Sequence, residues 1–194
     1  MNLKLAIIGM STLAVSACVS ILPEPTVADA LYSIEAEADL SGLSTDLIVR
    51  EPDAPRLLSG QAIVSLGGDS GLRMVPGVEW SGPATRQIQL AIIDSFKTQD
   101  TGNAVLPELG IFTDYELATQ LSVLRLEGQT GVCEMVVSVI ATNNRSLMAR
   151  TEISSSERAR SDRSSDRALA LRAAATNCAT QAAQFAIETL DDAD

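Results

Sequence analysis

Hydrophobic positions along the 194-residue chain switch between two periods, and the switches divide it into strands and helices. After an apolar stretch at the start, short β-rich runs come first, at 31–34, 47–49 and 61–66, the last centred on Ile63 and Val64. Pro52, Pro55 and Gly60 predict a loop before the third run. Gly67, Gly68, Asp69, Ser70 and Gly71 carry strong turn chemistry and return the chain into 72–75, so a hairpin is predicted. Over 79–96 the period lengthens: Ala84, Ile88, Ala91, Ile92 and Phe96 share one face at helical spacing. Pro83 falls in the first turn of that helix, where a missing amide donor costs little. Trp80, the only tryptophan, stands at the helix entrance; it either wedges into a partner or a lipid, or staples the helix start onto the sheet, and the second reading is preferred.

A polar loop at 98–103 leads on, and the second half of the chain is more regular. A long strand is predicted over 115–127, a turn over 128–131, and the most strand-like segment over 132–142. One face of that segment carries Cys133, Met135, Val137, Val139 and Ala141; the other carries Glu134 and Ser138 beside Val136 and Ile140, so both faces are expected to be partly covered. Asn143 and Asn144 turn the chain into a further strand over 147–153. Residues 154–165 are rich in Ser and Arg, with Arg158, Arg160 and Arg163 interleaved with Glu157 and Asp162. They form either a basic patch for phosphate headgroups or, preferably, a solvated loop with locally paired charges. A closing helix over 166–190 puts Leu171, Ala175, Cys178, Ala182 and Phe185 on one stripe, and 191–194 is an acidic tail. The sum is one α+β domain over 31–190, with a mixed, mostly antiparallel sheet packed against two main helices.

The apolar start changes where this domain must work. Lys4 supplies a positive n-region, residues 5–15 an apolar core, and Val15, Ser16, Ala17 and Cys18 the order of a bacterial lipobox. The expected arrangement is a signal peptide over 1–17, a lipidated cysteine at 18 and a Pro-containing tether over 18–30. The uncharged run from 5 to 22 approaches the ~20 residues that cross a bilayer, but Gly9, Ser11, Thr12, Ser16 and Ser20 dilute it, so an uncleaved anchor is the lesser reading. Val19, where many Gram-negative lipoproteins retained in the inner membrane have Asp, favours the outer membrane. A formal net charge of −11 disfavours nucleic acid and anionic lipid as partners.

Catalytic signals are absent from the sequence. It has no histidine, no Gly-x-Ser-x-Gly elbow, no phosphate-binding glycine loop and no metal-ligand cluster, so neither catalytic nor metal residues are assigned and no enzyme activity is expected. Glu35, Glu37 and Asp39 read as a solvated strand edge rather than a carboxylate site. With Cys18 acylated by diacylglycerol and a further chain such as palmitate, no other cofactor is implied. Cys133 and Cys178 both face the expected core, and two readings stay open: a disulfide closing a loop of about 45 residues, worth ~3–4 kcal/mol, or two small buried thiols.

The order of segments also carries a resemblance. A lipobox is followed by Ala30-Leu31-Tyr32-Ser33-Ile34, Leu47-Ile48-Val49-Arg50, Pro55-Arg56-Leu57-Leu58 and Gln61-Ala62-Ile63-Val64, then a hairpin leading to Val78-Glu79-Trp80. This arrangement resembles the ABC-type transport auxiliary lipoproteins, the PqiC-like group, across most of the chain. Ser59-Gly60 stands where the family commonly has a basic or polar residue, and Leu31 where it often has an aromatic or polar one. The resemblance implies a docking part of an envelope transporter for phospholipid or other hydrophobic compounds, on the periplasmic face of the outer membrane. Its implied partners are a mammalian-cell-entry (MCE) domain protein and an ABC permease and ATPase, with a homo-oligomer suited to a ring-shaped partner. The competing reading is a stand-alone lipoprotein that holds a lipid or small apolar ligand.

Overall fold

Near-continuous alternation of inward and outward side chains over residues 115–158 forms three long strands, and these organise the sheet. The structure, a computed structural model, describes residues 28–96 and 101–192. Its elements are β1 (Ala30–Tyr32), β2 (Leu47–Val49), α1 (Arg56–Ser59), β3 (Ala62–Leu66), β4 (Leu72–Trp80), α2 (Ala84–Asp94), β5 (Ala104–Val105), a 3-10 turn (Pro107–Leu109), β6 (Tyr115–Glu127), β7 (Thr130–Ala141), β8 (Ser146–Arg158) and α3 (Ser164–Asp191).

The eight strands make one mixed sheet. Its long ladders are antiparallel: β6 pairs with β7 from Tyr115↔Ala141 to Glu127↔Thr130, and β7 with β8 from Thr130↔Arg158 to Ala141↔Ser146. The other edge of β6 is shared, with β2 parallel to its start (Leu47↔Tyr115) and β3 parallel to its end (Ser65↔Leu126). Beyond β3 lie antiparallel β4 and then β1, parallel to β4; β5 lies parallel beside β2. The chain is thus an α+β domain with a mixed sheet, as its patterning predicts.

Helices α2 and α3 cover one face. Along β6 and β7 that face carries Leu117, Leu121, Leu124, Leu126, Cys133, Met135, Val137 and Val139, all buried. α3 packs on β7 and β8 and also against α2, which explains its wide apolar surface. Ala168, Ala174, Ala175, Ala179, Ala182, Ala183 and Ala186 are buried, as are Leu171 and Cys178, while Phe185 is only half-buried. Alanine suits both demands, since it loses no rotamer entropy in a helix and lets the helix axis approach the sheet. Polar side chains of α2 also serve the fold. Gln89, itself buried, donates to the Val49 carbonyl at 2.8 Å, and the Ile34 amide donates to Gln87 Oε1 at 2.7 Å.

Several boundaries move from those the sequence predicts. Trp80 does not open the helix; it ends β4, where its amide donates to the Gln61 carbonyl, and it is 1% exposed, so it is a core residue. α2 begins only at Ala84, after Pro83. β4 runs far past 75 because Pro76 and Gly77 (φ 75°) sit in a bulge between the Met74↔Val64 and Glu79↔Ala62 pairs, where a proline need not donate to the ladder. The 52–60 loop contains the single turn α1. β8 extends to Arg158, five residues into the expected Ser/Arg loop, because the start of β7 offers partners for each of them.

At Gly131 the backbone of α3 lies directly against the strand. The expected 128–131 turn is shorter, β7 already includes Thr130 and Gly131, and a Cβ built on Gly131 falls on the α3 backbone at Ala170 and Leu171. Gly131→Ala therefore has to push α3 off the sheet. The expected cost is about 1–3 kcal/mol, or roughly 2–4 °C of Tm for each kcal/mol in a domain of this size. Thermal denaturation tests this against Gly68→Ala, where a Cβ meets nothing within 4 Å and the expected change is within about 0.5 kcal/mol.

Candidate functional site

Cys18 lies outside the described residues. The two other cysteines meet inside the core, from β7 and from α3: both are buried thiols, and Cys178 Sγ donates to the Cys133 carbonyl at 3.3 Å. Burial, with the neighbouring Cys178 thiol and Glu134, pushes the Cys133 thiol well above its usual range, which keeps it protonated and unreactive.

The remaining candidates are engaged locally. In the glycine turn, Asp69 accepts from the Gly71 amide at 3.2 Å and pairs with Arg73 at 2.7 Å. Glu35, Glu37 and Asp39 are exposed in an irregular segment rather than on a strand, and Arg172 approaches Glu37 at 3.7 Å. In the Ser/Arg segment, Asp162 accepts from Gln129 at 2.7 Å and Glu157 from Asn177 at 3.0 Å. Arg158, Arg160 and Arg172 share a cavity of about 360 Å³ with Glu37, Glu157 and Asp166, so their charges are offset within it. Arg167, which points away from the apolar stripe, braces the fold instead: it donates to the Gly128 carbonyl at 3.0 Å and to Ser65 Oγ at 2.9 Å. Among the described residues no group of three or more His, Cys, Asp and Glu could hold a metal ion, and no helix is long and apolar enough to cross a membrane.

What the fold leaves available is the face of the sheet opposite the helices. On β6, β7 and β8 it presents Ala118, Val132, Val136, Ser138 and Ile140, all half-buried, with Gln120, Glu134, Arg150 and Glu152 exposed among them. This mixture of half-buried apolar and exposed polar groups leaves one broad face of the sheet without a covering helix.

Glu116 anchors one end of this face. Its side chain is 3% exposed, held by Arg50 Nε at 2.6 Å and by Arg145 Nη1 at 3.1 Å, and both arginines are largely exposed. Arg50 follows β2, and Arg145 sits in the β7–β8 turn with φ 58°, so one carboxylate ties three strands together. Burial alone pushes the Glu116 carboxyl up; the Arg50 hydrogen bond and charge, joined by Arg145, outweigh it and hold the group below its ordinary value. No periodicity in the sequence marks this triad, because its members are far apart along the chain.

The other end of the open face, on β1, β4 and β3, is apolar and exposed. Leu31 (62% exposed), Met74 (71%) and Leu72 (41%) lie there on neighbouring strands. Beside them is a cavity of about 410 Å³ walled by Ile63, Met74, Val75 and Val78, with Asp29 and Glu79 at its polar side.

Comparison with known proteins adds a family and a fold. A family model described as the ABC-type transport auxiliary lipoprotein component matches residues 31–183. The crystal structure of protein XCC0632 from Xanthomonas campestris is similar, with a TM-score of 0.72 at 19% identity over 85% of this chain and 95% of that one. A second crystal structure, of an uncharacterized protein, has a TM-score of 0.57 at 12% identity over 78% of this chain and 99% of that one. At such identities the two structures speak for the fold alone. No curated protein matches the chain.

The Glu116 triad generates a test of its own. A carboxylate held below its ordinary pKa contributes stability that is complete above the unfolded value, near ~4.3, and is lost as pH falls through the folded value. Glu116→Gln is expected to lower stability at pH 7 by about 1–2 kcal/mol. The two proteins should converge as pH drops below about 4, because the native carboxyl is then protonated as well. Urea unfolding across pH 3–7 measures this, and a gap that stays constant with pH would show that the charge does not matter.

Proposed function

The chain belongs to the ABC-type transport auxiliary lipoprotein family, and from that premise we propose that it is the lipid-anchored docking subunit of an envelope transport system. In this reading Cys18 carries the acyl chains, and the folded domain stands on the periplasmic face of the outer membrane. There it meets an MCE-domain protein that receives phospholipid or another hydrophobic compound from an ABC permease and ATPase. ATP hydrolysis belongs to the ATPase, so this chain needs no nucleotide site.

The observation that carries the reading is the family match, which spans nearly all of the folded domain. Three features support it. The lipobox-like order from Val15 to Cys18, just before the domain, supports a membrane anchor there. The half-buried surface of Val132, Val136 and Ile140 offers a docking area, since interface cores are low in charge and their rims polar. A symmetric homo-oligomer would repeat that area around a ring-shaped partner.

The 410 Å³ cavity favours the second reading, a lipoprotein that itself holds a small apolar ligand. Native mass spectrometry that finds a co-purified ligand, and no partner in detergent extracts, would replace docking by binding.

Two measurements test the docking reading. Cys18→Ser should abolish acylation, read by metabolic labelling with an alkynyl fatty acid, and release the protein from membranes; the same fractionation of the wild type tells inner from outer membrane. Affinity capture from detergent extracts of the native host should retrieve an MCE-domain protein or its permease. Val136→Asp, on the open face, should reduce that capture while the domain still folds. Capture that is undiminished removes this face from the interface, and capture of neither partner removes the docking function.

A further inference from the structure

The exposed apolar end of the sheet lies where the anchored segment enters the fold. Ala28, the first described residue, lines the same cavity as Met74, and the amide of Asp29 donates to the Gly77 carbonyl at 2.9 Å, so the chain enters at the bulge in β4. Ala28 lies ten residue steps beyond Cys18, a contour of at most about 35 Å when fully extended. Leu31, Leu72 and Met74 are three of the large hydrophobic side chains the fold leaves exposed; Leu72 and Met74 stand two residues apart on one face of β4, and Leu31 is paired with Glu79 on the other side of the bulge. Single exposed leucines are ordinary, but exposed apolar side chains on both sides of an apolar-walled cavity, lined by Met74 and by the Leu31 partner Glu79, mark an interaction surface.

Taking the anchored reading of Cys18 as given, we infer that the outer face of β1, β4 and β3 is the surface this protein lays on its own bilayer, with Leu31 and Met74 entering the headgroup–acyl boundary. The occupant is the lipid surface because the short connection from Cys18 keeps this end of the sheet near it. Apolar side chains on a shallow surface gain from that boundary, and they add to the hold of the acyl chains. The charges set the kind of lipid. Asp29 and Glu79 beside the cavity disfavour anionic headgroups and suit zwitterionic ones, whose amines can approach carboxylates. The opposite corner of the sheet, where Leu147 is 58% exposed in β8, then points away from the membrane.

The acylated full-length mature protein, reconstituted into phosphatidylethanolamine–phosphatidylcholine vesicles, tests this. A bimane label on Met74→Cys or on Leu147→Cys reports each corner separately, since Cys133 and Cys178 are buried and Cys18 is blocked by lipid. The label at 74 should shift to the blue and be quenched by a spin-labelled lipid; the label at 147 should instead be quenched by aqueous iodide. Adding Leu31→Ser should weaken the blue shift at 74, and phosphatidylglycerol in the vesicles should do the same. Flotation of the unlabelled protein with the vesicles checks the anchor by itself. Protein that floats while its label at 74 stays as open to iodide as the label at 147 overturns the inference and spares the anchor. Protein that does not float overturns both. A label at 74 that becomes shielded only on addition of a partner protein reassigns the surface to that partner.

Discussion

The distance at which α3 can rest on β7 is the constraint that the other contacts accept. It is set by side chains that are almost absent: Gly131 on the strand, and on the helix a stripe of alanines. Dispersion forces reward such close approach only over many atoms at once, so the fit has to hold along much of the 28-residue helix rather than at one contact. From that seat α3 supports α2 on one side and, through Arg167, holds the β6–β7 turn to β3 on the other. The paired thiols lie within the same closely packed layer. A single dry contact surface therefore positions both halves of the sheet.

Much of this was legible in the pattern of residues, and the exceptions have physical reasons. The long strands and both main helices show because their apolar residues recur at a constant period over ten or more positions. β5 spans two residues and α1 four, too short for any period to appear, so only tertiary pairing defines them. Ser154, Ser155 and Ser156 have weak strand preference, yet β7 supplies an adjacent ladder and the sheet overrides local propensity. Trp80 looks like the start of a helix because Ser81, Gly82 and Pro83 follow it, whereas its amide bonds to the carbonyl of Gln61, just ahead of β3 and far away in sequence. The open face was partly visible in the alternation of Glu134 and Ser138 with Val136 and Ile140. The Arg50–Glu116–Arg145 triad was not, since sequence spacing says nothing about residues that only folding brings together.

Charge is distributed in a way that fits a molecule working beside other surfaces. The chain is strongly acidic, and several of its arginines are committed to particular carboxylates: Arg50 and Arg145 to Glu116, Arg73 to Asp69, Arg86 to Glu108 and Arg125 to Glu127. Exposed pairs of this sort add little stability. The Glu116 pair differs because its carboxylate is buried, and there the arginines offset a desolvation cost that would otherwise raise its pKa.

The way in which β1 is fastened has a mechanical consequence. Three residues pair it in parallel to β4, and its flanks add the amide of Asp29 to Gly77, that of Ser81 to Tyr32, and that of Ile34 to Gln87. Tension applied through the N-terminal segment loads this short ladder before any other element. The strand can then peel away as a fuse before β6, β7 and β8, which are tied to one another along their whole lengths.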